Sequence, residues 1–211
     1  MGTGGSLVIE RGPLEGFLES TEVADFHDPR VVAKLAEFRV AAPSVETQAA
    51  AAFRYVRDGI RHSFDSQEPL VTISSCDVLA AGTGICFAKS HLLAALLRGL
   101  GVPTGFCYQR VMRTGTPDSG YALHGLNAAF FDGVGWVRLD ARGDRPGVHS
   151  EFDPSQEHLA YTLQPALGEQ DYPYVYRRPL PAVLESLRRS TDTFELFYRR
   201  PERIEAFETP L

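Results

Sequence analysis

Basic charge is scarce in this sequence of 211 residues. Twenty-one Lys and Arg residues stand against 27 Asp and Glu residues, which gives a formal net charge of −6 at pH 7. The pairs Arg188-Arg189 and Arg199-Arg200 lie among acidic residues, so we expect a mixed, solvated surface there. Because no basic patch is available to neutralise phosphates, nucleic acid is not expected as a partner.

Long apolar runs and cysteine are also rare. No stretch approaches the roughly 18 consecutive apolar residues of a membrane span. The first six residues lack the basic and apolar regions of a secretory signal, and we interpret them as a flexible lead-in. Three cysteines cannot form a complete disulfide framework within one chain. We therefore expect a cytoplasmic protein with no membrane contact.

Signatures of common cofactors and metals are missing too. Gly82-Thr83-Gly84 lacks the further glycine and the lysine of a nucleotide-binding loop. No EF-hand pattern indicates calcium. No Cys-x-x-Cys pair supports a metal site, and a metal held by the three cysteines and a histidine is only a weak alternative. We therefore predict no cofactor and no metal ligand.

The sequence does contain an ordinary globular composition, with 44% hydrophobic and 23% charged residues. Apolar residues recur at helical spacing first and strand-like segments follow, which indicates an α+β fold. The predicted helices begin at Pro29, Ser44, Ser75, Cys86 and Pro179. The predicted strands cover residues 104–112, 124–131 and 135–140.

The most informative chemical feature is Cys86, at the predicted start of a buried helix. Gly82 and Gly84 form a tight loop immediately before it. Free N–H groups and the helix dipole at that end stabilise a thiolate, the form of cysteine that attacks carbonyl carbon. Cys76 and Cys107 are expected to be small, partly or fully buried apolar residues. Cys86 is therefore the candidate nucleophile.

His124 and Asp140 flank a predicted hairpin. A three-residue loop, Phe131-Asp132-Gly133, would pair Phe130 with Val134. That register places His124 opposite Asp140, on one face of adjacent strands. Asp140 would then accept a hydrogen bond from one imidazole nitrogen and leave the other nitrogen facing a thiol. A surface His–Asp pair, or a two-residue turn that breaks the register, is the alternative.

The order Cys, His, Asp and the segments around these residues resemble the transglutaminase-like superfamily. The resemblance covers about residues 44–142 and rests on Gly84-Ile85-Cys86, the leucine-rich helix that follows, Leu100-Gly101-Val102-Pro103, His124 and Trp136-Val137-Arg138-Leu139-Asp140. It implies a papain-like core in which a helix presents the cysteine to an antiparallel sheet. It also implies Cys86 as nucleophile, His124 as general base and acid, and Asp140 as the residue that orients His124.

The resemblance and the triad chemistry together predict a cysteine hydrolase or protease. It would cleave an amide or peptide bond through a thioester, in a peptide, a protein or a small amide. Hydrolysis is favoured over cross-linking because no dedicated amine site is evident. Two alternatives stay open: a non-catalytic binding module with the same fold, and an acyltransferase that uses a thioester donor.

Three further residues are nominated near this core. Gln109 and Asn127 are candidates for a second oxyanion donor beside the Cys86 backbone N–H. Each of them is also expected as an ordinary hydrogen-bonded structural amide. Lys89 would lower the pKa of the thiol if it lay close, although we expect it on the solvated surface.

We predict a single domain over residues 1–211, with the core at 44–142 and a C-terminal extension at 143–211. The extension has an irregular pattern and is expected to form a lid or a flanking wall. Its aromatic residues Tyr161, Tyr172, Tyr174 and Tyr176 either line a substrate cleft or pack internally.

Overall fold

The structure is a computed structural model that describes residues 6–210. The helices are α1 (Pro29–Ala41), α2 (Val45–Arg54), α3 (Ser75–Ala81), α4 (Cys86–Gly99), α5 (Pro181–Arg189) and α6 (Thr193–Arg199). The strands are β1 (Val8–Ile9), β2 (Arg61–His62), β3 (Thr83–Gly84), β4 (Thr104–Met112), β5 (Tyr121–Phe131), β6 (Gly135–Leu139), β7 (Gln170–Asp171) and β8 (Tyr174–Val175). Residues 1–5 of the predicted six-residue lead-in lie outside the described residues.

Helix α4 is enclosed by the rest of the chain. Its residues 86–98 are all buried, and a helix surrounded on every side needs apolar residues all round, which the run from Leu92 to Leu97 supplies. The preceding helix α3 ends at Gly82, whose φ of 63° is a left-handed conformation that suits glycine. This reversal lets β3 pair with β2 in parallel, immediately before Cys86.

The main sheet is antiparallel, with the strand order β6-β5-β4-β7. One face contributes to the main hydrophobic core around α4, with Phe106, Tyr108, Leu123 and Leu139. The other face covers a smaller core of Phe17, Cys107, Leu126, Ala128 and Val175. The prediction of an α+β fold, with the cysteine-bearing helix packed on an antiparallel sheet, is confirmed.

Strand β5 approaches the start of α4 closely at Gly125. A Cβ atom at this position would lie 2.6 Å from Phe87 Cδ1, which is inside the van der Waals limit. The absence of a side chain therefore lets the strand run against the first turn of the helix. As a result, His124 lies beside the helix end that carries Cys86.

The register predicted for the β5–β6 hairpin is wrong by two residues. The loop is Asp132-Gly133-Val134, and the ladder begins at Gly135. Gly133 and Gly135 have φ values of 78° and 103°, so the reversal ends one residue later than expected. His124 is consequently diagonal to Asp140 instead of opposite to it. Side chains alternate with a period of two, so both residues still project from the same face.

The segment after β6 returns across the end of the sheet and is fastened to the core by backbone hydrogen bonds. The N–H of Leu123 donates to Pro201 O at 2.7 Å, and the N–H of Thr193 donates to Pro69 O at 3.0 Å. Strand β8 pairs with β1 in parallel. None of the helices in residues 6–210 has both the length and the apolar character that a membrane crossing requires.

Candidate active site

Cys86 is the first residue of α4 and is 3% exposed. Burial by itself raises the pKa of the thiol. The positive charge of His124, a hydrogen-bonding interaction with that side chain, the charge of Arg200 and the N–H of Gly125 outweigh burial and lower the pKa below its ordinary value. Cys86 is thus placed to ionise in a way that an ordinary buried cysteine is not.

His124 and Asp140 form a buried pair. His124 Nε2 lies 2.8 Å from Asp140 Oδ2, and the two side chains are 3% and 0% exposed. Asp140 also accepts the N–H of Arg142 at 3.2 Å and the N–H of Ala160 at 3.1 Å. Because Nε2 is taken by Asp140, the other ring nitrogen, Nδ1, is the one available to the thiol.

The pKa values of this pair move in opposite directions. Burial acts to lower the pKa of His124, but the negative charges of Asp140 and Cys86 raise it well above its ordinary value. Burial acts to raise the pKa of Asp140, but the charge and hydrogen bond of His124 and the two backbone N–H groups lower it. Together with the lowered pKa of Cys86, these shifts favour a thiolate–imidazolium pair held by a carboxylate.

Tyr161 and Arg142 pack around His124. The ring of Tyr161 contacts the imidazole edge-on, with centroids 4.8 Å apart, and its hydroxyl accepts a hydrogen bond from Arg142 Nε at 3.0 Å. Arg142 in turn pairs with Asp65, with Nη2 2.8 Å from Oδ1. Of the four tyrosines predicted to line a cleft or pack, Tyr161 lies in the cavity wall, whereas Tyr172 and Tyr176 are buried in the main core.

Cys86 and His124 line a cavity of about 630 Å³. One side of it is formed by the core, at the end of β4 and around Asp65. The other side comes from the loop at residues 145–148, the irregular segment around 161–169 and the end of α6. The C-terminal segment therefore supplies a large part of the wall of the cavity that contains the thiol.

The two side-chain amides nominated as oxyanion donors are both occupied. Asn127 Nδ2 donates to Ser90 O and to Gly105 O, each at 3.1 Å. Gln109 Nε2 donates to Asp171 Oδ1 at 3.2 Å. Each amide therefore has the structural hydrogen-bonding role that the sequence also predicts as the alternative to an oxyanion donor. The Cys86 backbone N–H, in the first turn of α4, stays a proposed donor.

The structure places two basic residues differently from the sequence interpretation. Lys89 is buried, and not on the surface as predicted, because it follows Cys86 by one turn on a helix that is enclosed all round. Its Nζ donates to Ile60 O at 2.6 Å and to Arg57 O at 3.2 Å, and burial lowers its pKa to about 7. Arg200 is also buried, at 8% exposure, because the chain folds the end of α6 into the cavity wall.

His62 is a further residue of the cavity wall that sequence reasoning missed. It is buried, its Nδ1 has no hydrogen-bond partner in the described part of the chain, and the nearest carboxylate oxygen, on Asp65, is 3.9 Å away. Burial lowers its pKa well below the ordinary value. The pairing of β2 with β3 brings it beside Gly84, 22 positions later in the chain, and no local sequence pattern signals that pairing.

The remaining cysteines lie apart from this arrangement. Cys107 is fully buried under the opposite sheet face, where burial raises its pKa, and Cys76 is partly buried with a raised pKa. His91 Nδ1 lies 2.7 Å from Ile73 O and is occupied there. Among residues 6–210, no group of three or more His, Cys, Asp or Glu side chains is arranged to hold a metal ion.

Two kinds of solved structure align with part of this chain. A candidate cysteine protease from Cytophaga hutchinsonii is 18% identical, with a TM-score of 0.50, over 63% of this chain and 43% of that protein. The periplasmic domain of TgpA from Pseudomonas aeruginosa is 20% identical, with a TM-score of 0.44, over 59% of this chain and 45% of that one. The chain thus spans less than half the length of these proteins. No curated protein matches it.

A family comparison covers the part of the chain that holds the cysteine, the histidine and the aspartate. Residues 34–141, about half of the sequence, match the model of the transglutaminase-like superfamily. That range includes Cys86, His124 and Asp140, and it agrees with the resemblance seen in the sequence. The chain therefore belongs to the transglutaminase-like superfamily.

Proposed function

We propose that this protein is a cysteine-dependent enzyme that hydrolyses an amide or peptide bond through a thioester intermediate. The observation that carries the proposal is the placement of Cys86, at the start of α4, in one cavity with a histidine that a buried aspartate holds. The superfamily includes cysteine-dependent enzymes, which is consistent with this reading. The substrate is proposed to be a peptide, a protein or a small amide.

In the first step, the Cys86 sulfur attacks the carbonyl carbon and forms a carbon–sulfur bond. The carbonyl electrons move to oxygen, for which the Cys86 backbone N–H is the proposed donor. When the tetrahedral intermediate collapses, the carbon–nitrogen bond breaks and His124 gives its proton to the departing amine. Asp140 keeps the imidazole oriented and stabilises its charge throughout.

In the second step, water attacks the thioester. His124, now neutral, takes a proton from that water, and a second tetrahedral intermediate forms. The carbon–sulfur bond then breaks, releasing the carboxylic acid and restoring the thiolate–imidazolium pair. The three free thiols of the chain fit a reducing compartment, and we propose the cytoplasm as its location.

The test is the pH dependence of iodoacetamide alkylation at each cysteine, read by mass spectrometry. We expect Cys86 to react quickly at pH 6, because the charge of His124 lowers the pKa of its thiol, and His124→Ala should slow it at that pH by at least about tenfold. Cys76, which is partly exposed and has a raised pKa, is an internal reference within the same molecule. His149→Ala removes an exposed histidine and serves as the matched control.

Slow labelling of Cys86 at pH 6, with a profile that His124→Ala does not shift, would contradict the proposal. The same result would favour a non-catalytic binding module with this fold. The geometry that favours an enzyme over the binding module is the buried His124–Asp140 pair in the cavity that contains Cys86. The charge of His124 lowers the pKa of Cys86, whereas burial alone would raise it.

A further inference from the structure

Arg200 is a charged residue of the cavity that is not part of the triad, although its charge helps to lower the pKa of Cys86. This residue follows α6, is 8% exposed and lines the same cavity as Cys86 and His124. Its guanidinium lies over the rings of Phe64 and Phe197, with Cζ 4.9 Å from each ring centroid. Stacking of this kind holds a cation in place without neutralising its charge.

Arg200 has no acidic partner in residues 6–210. No carboxylate oxygen of that part of the chain lies within 4.0 Å of it. Its Nε donates to Phe197 O at 3.4 Å, and its two Nη atoms have no acceptor in the described chain. Arg142, in the same wall, differs from Arg200, because its two Nη atoms donate to the two carboxylate oxygens of Asp65. A buried cation with no carboxylate partner costs free energy, which an incoming carboxylate would offset.

The cavity wall as a whole contains more positively than negatively charged side chains. Four arginines line it, at positions 113, 142, 145 and 200, against two carboxylates, Asp65 and Glu169. Asp65 is paired with Arg142. Glu169 accepts the N–H of Met112 and the N–H of Gln164, both at 2.8 Å. The chain as a whole has a net charge of −6, so this cavity is a basic exception that attracts anions.

We infer that Arg200 binds a carboxylate of the substrate, and that the compound processed at Cys86 is an amide bearing a carboxylate group near its scissile carbonyl. The inference rests on the proposed function. A guanidinium is suited to this task because its planar fork donates two parallel N–H bonds to the two oxygens of a carboxylate. Arg200 is therefore a specificity-determining residue, supplied by the segment outside the family match.

The test compares two alkylating reagents at Cys86. Iodoacetate and iodoacetamide have nearly the same size and the same leaving group, and each forms a carbon–sulfur bond with loss of iodide. The thiolate fraction cancels in the ratio of their rates, and glutathione supplies the reference ratio. We expect wild-type Cys86 to favour iodoacetate by about tenfold or more relative to glutathione, and Arg200→Met to lose that preference.

Arg199→Met is the matched control. It removes the same charge from the adjacent position, but Arg199 lies outside the cavity lining, its side chain is 43% exposed and its Nη2 lies 2.6 Å from Glu195 Oε1. Exposed charges are screened by salt, so we expect this variant to change the ratio by less than about twofold. Arg200→Lys keeps the charge without the fork and should retain only part of the preference.

The outcomes separate this inference from the proposed function. Slow alkylation of wild-type Cys86 by iodoacetamide would overturn the activated thiol, and both proposals with it. Fast iodoacetamide labelling, with a ratio that Arg200→Met leaves unchanged, would overturn carboxylate recognition alone. Equal slowing of both reagents in that variant would also overturn it, because Arg200 would then act only through the thiol.

A measurement on the wild-type protein keeps the inference testable if Arg200→Met does not fold. N-acetylglycine and its amide, N-acetylglycinamide, differ only in the carboxylate. We expect N-acetylglycine to protect Cys86 from iodoacetamide at a concentration about tenfold lower than the amide does. Equal protection by the two compounds would overturn the inference.

Discussion

The core at residues 44–142 and the C-terminal segment at 143–210 contribute to one cavity in different ways. The core places Cys86, His124 and Asp140 at the ends or edges of a regular helix and an antiparallel sheet. The C-terminal segment contributes Tyr161 and Arg200 from irregular chain and the end of a short helix. The proposed reacting groups therefore lie on or next to regular helix and sheet, while part of the wall that would face a substrate comes from chain held mainly by tertiary contacts.

Hydrogen bonds from the core hold the end of the C-terminal segment in place. Arg113, at the end of β4, donates to the carbonyl oxygens of Phe197, Tyr198 and Arg200. The position of Arg200 is therefore set by a hydrogen-bonding cluster between distant parts of the chain. The position of Cys86, by contrast, follows from where α4 begins.

The largest effect on this comparison is expected from Asp140→Asn. An uncharged amide would no longer favour the imidazolium form of His124, so the thiolate at Cys86 would lose its counter-ion. We expect the rate of iodoacetamide labelling at pH 6 to fall by at least about tenfold, with the protein still folded by circular dichroism. Asp153→Asn, at an exposed carboxylate of the C-terminal segment, is the control. An unchanged rate in Asp140→Asn would remove Asp140 from the mechanism.

Gly125→Ala and Gly105→Ala sharpen the comparison as a matched pair. A Cβ at position 125 would meet Phe87 Cδ1 at 2.6 Å, and one at position 105 would meet Val175 Cγ1 at 2.4 Å. Both variants should lower the free energy of unfolding by about 1–3 kcal/mol through overpacking, as measured by urea denaturation. Only Gly125→Ala should also slow alkylation of Cys86, because Phe87 adjoins that residue. Equal slowing in both variants would show that the two regions are coupled.

The stability of the fold is also expected to depend on pH through Lys89. Its pKa in the fold is about 7, below the ordinary value of 10.5. The unfolded chain therefore holds a proton that the folded chain has lost between about pH 7 and pH 10, and stability rises with pH across that window, by at most about 1.4 kcal/mol per pH unit. Below about pH 7 both states are protonated, and the gain is absent.

The corresponding variant is Lys89→Met, with Lys34→Met as the control. Lys34 is the other lysine of the chain and pairs with Glu37 on α1. Urea denaturation from pH 7 to pH 9 should show a smaller rise in stability for Lys89→Met than for the wild type or for Lys34→Met. An equal rise in all three proteins would mean that Lys89 stays protonated in the fold.

Much of the core could be predicted because its signals are local. The apolar run after Cys86 indicated α4, and the Asp132-Gly133 turn between two strand-like segments indicated the hairpin. The predicted register was wrong because the position of the loop depends on the backbone angles at Gly133 and Gly135, which the composition does not determine. Because the register error is two residues, an even number, His124 and Asp140 still project from the same face of the sheet.

Prediction failed where burial is decided by distant chain. Lys89 and Arg200 are polar by type, and residue type alone favours the surface. Lys89 is buried because α1, α2 and the sheet contact α4 from several sides. Tyr161 and His62 reach the cavity through pairings and loops that span tens of residues.

Local sequence signals are enough to predict the helix that begins at Cys86 and the strands that carry or precede His124 and Asp140, and the sequence also shows membership in the transglutaminase-like superfamily. Helical periodicity, glycine positions and strand patterns depend on interactions within a few residues, so they do not require contacts with distant parts of the chain. Only the tertiary structure decided which cations are buried, which amides are occupied and which walls enclose the thiol. Those outcomes depend on desolvation and on hydrogen bonds between segments far apart in the chain. These energies contribute only when the segments are in contact in the folded state.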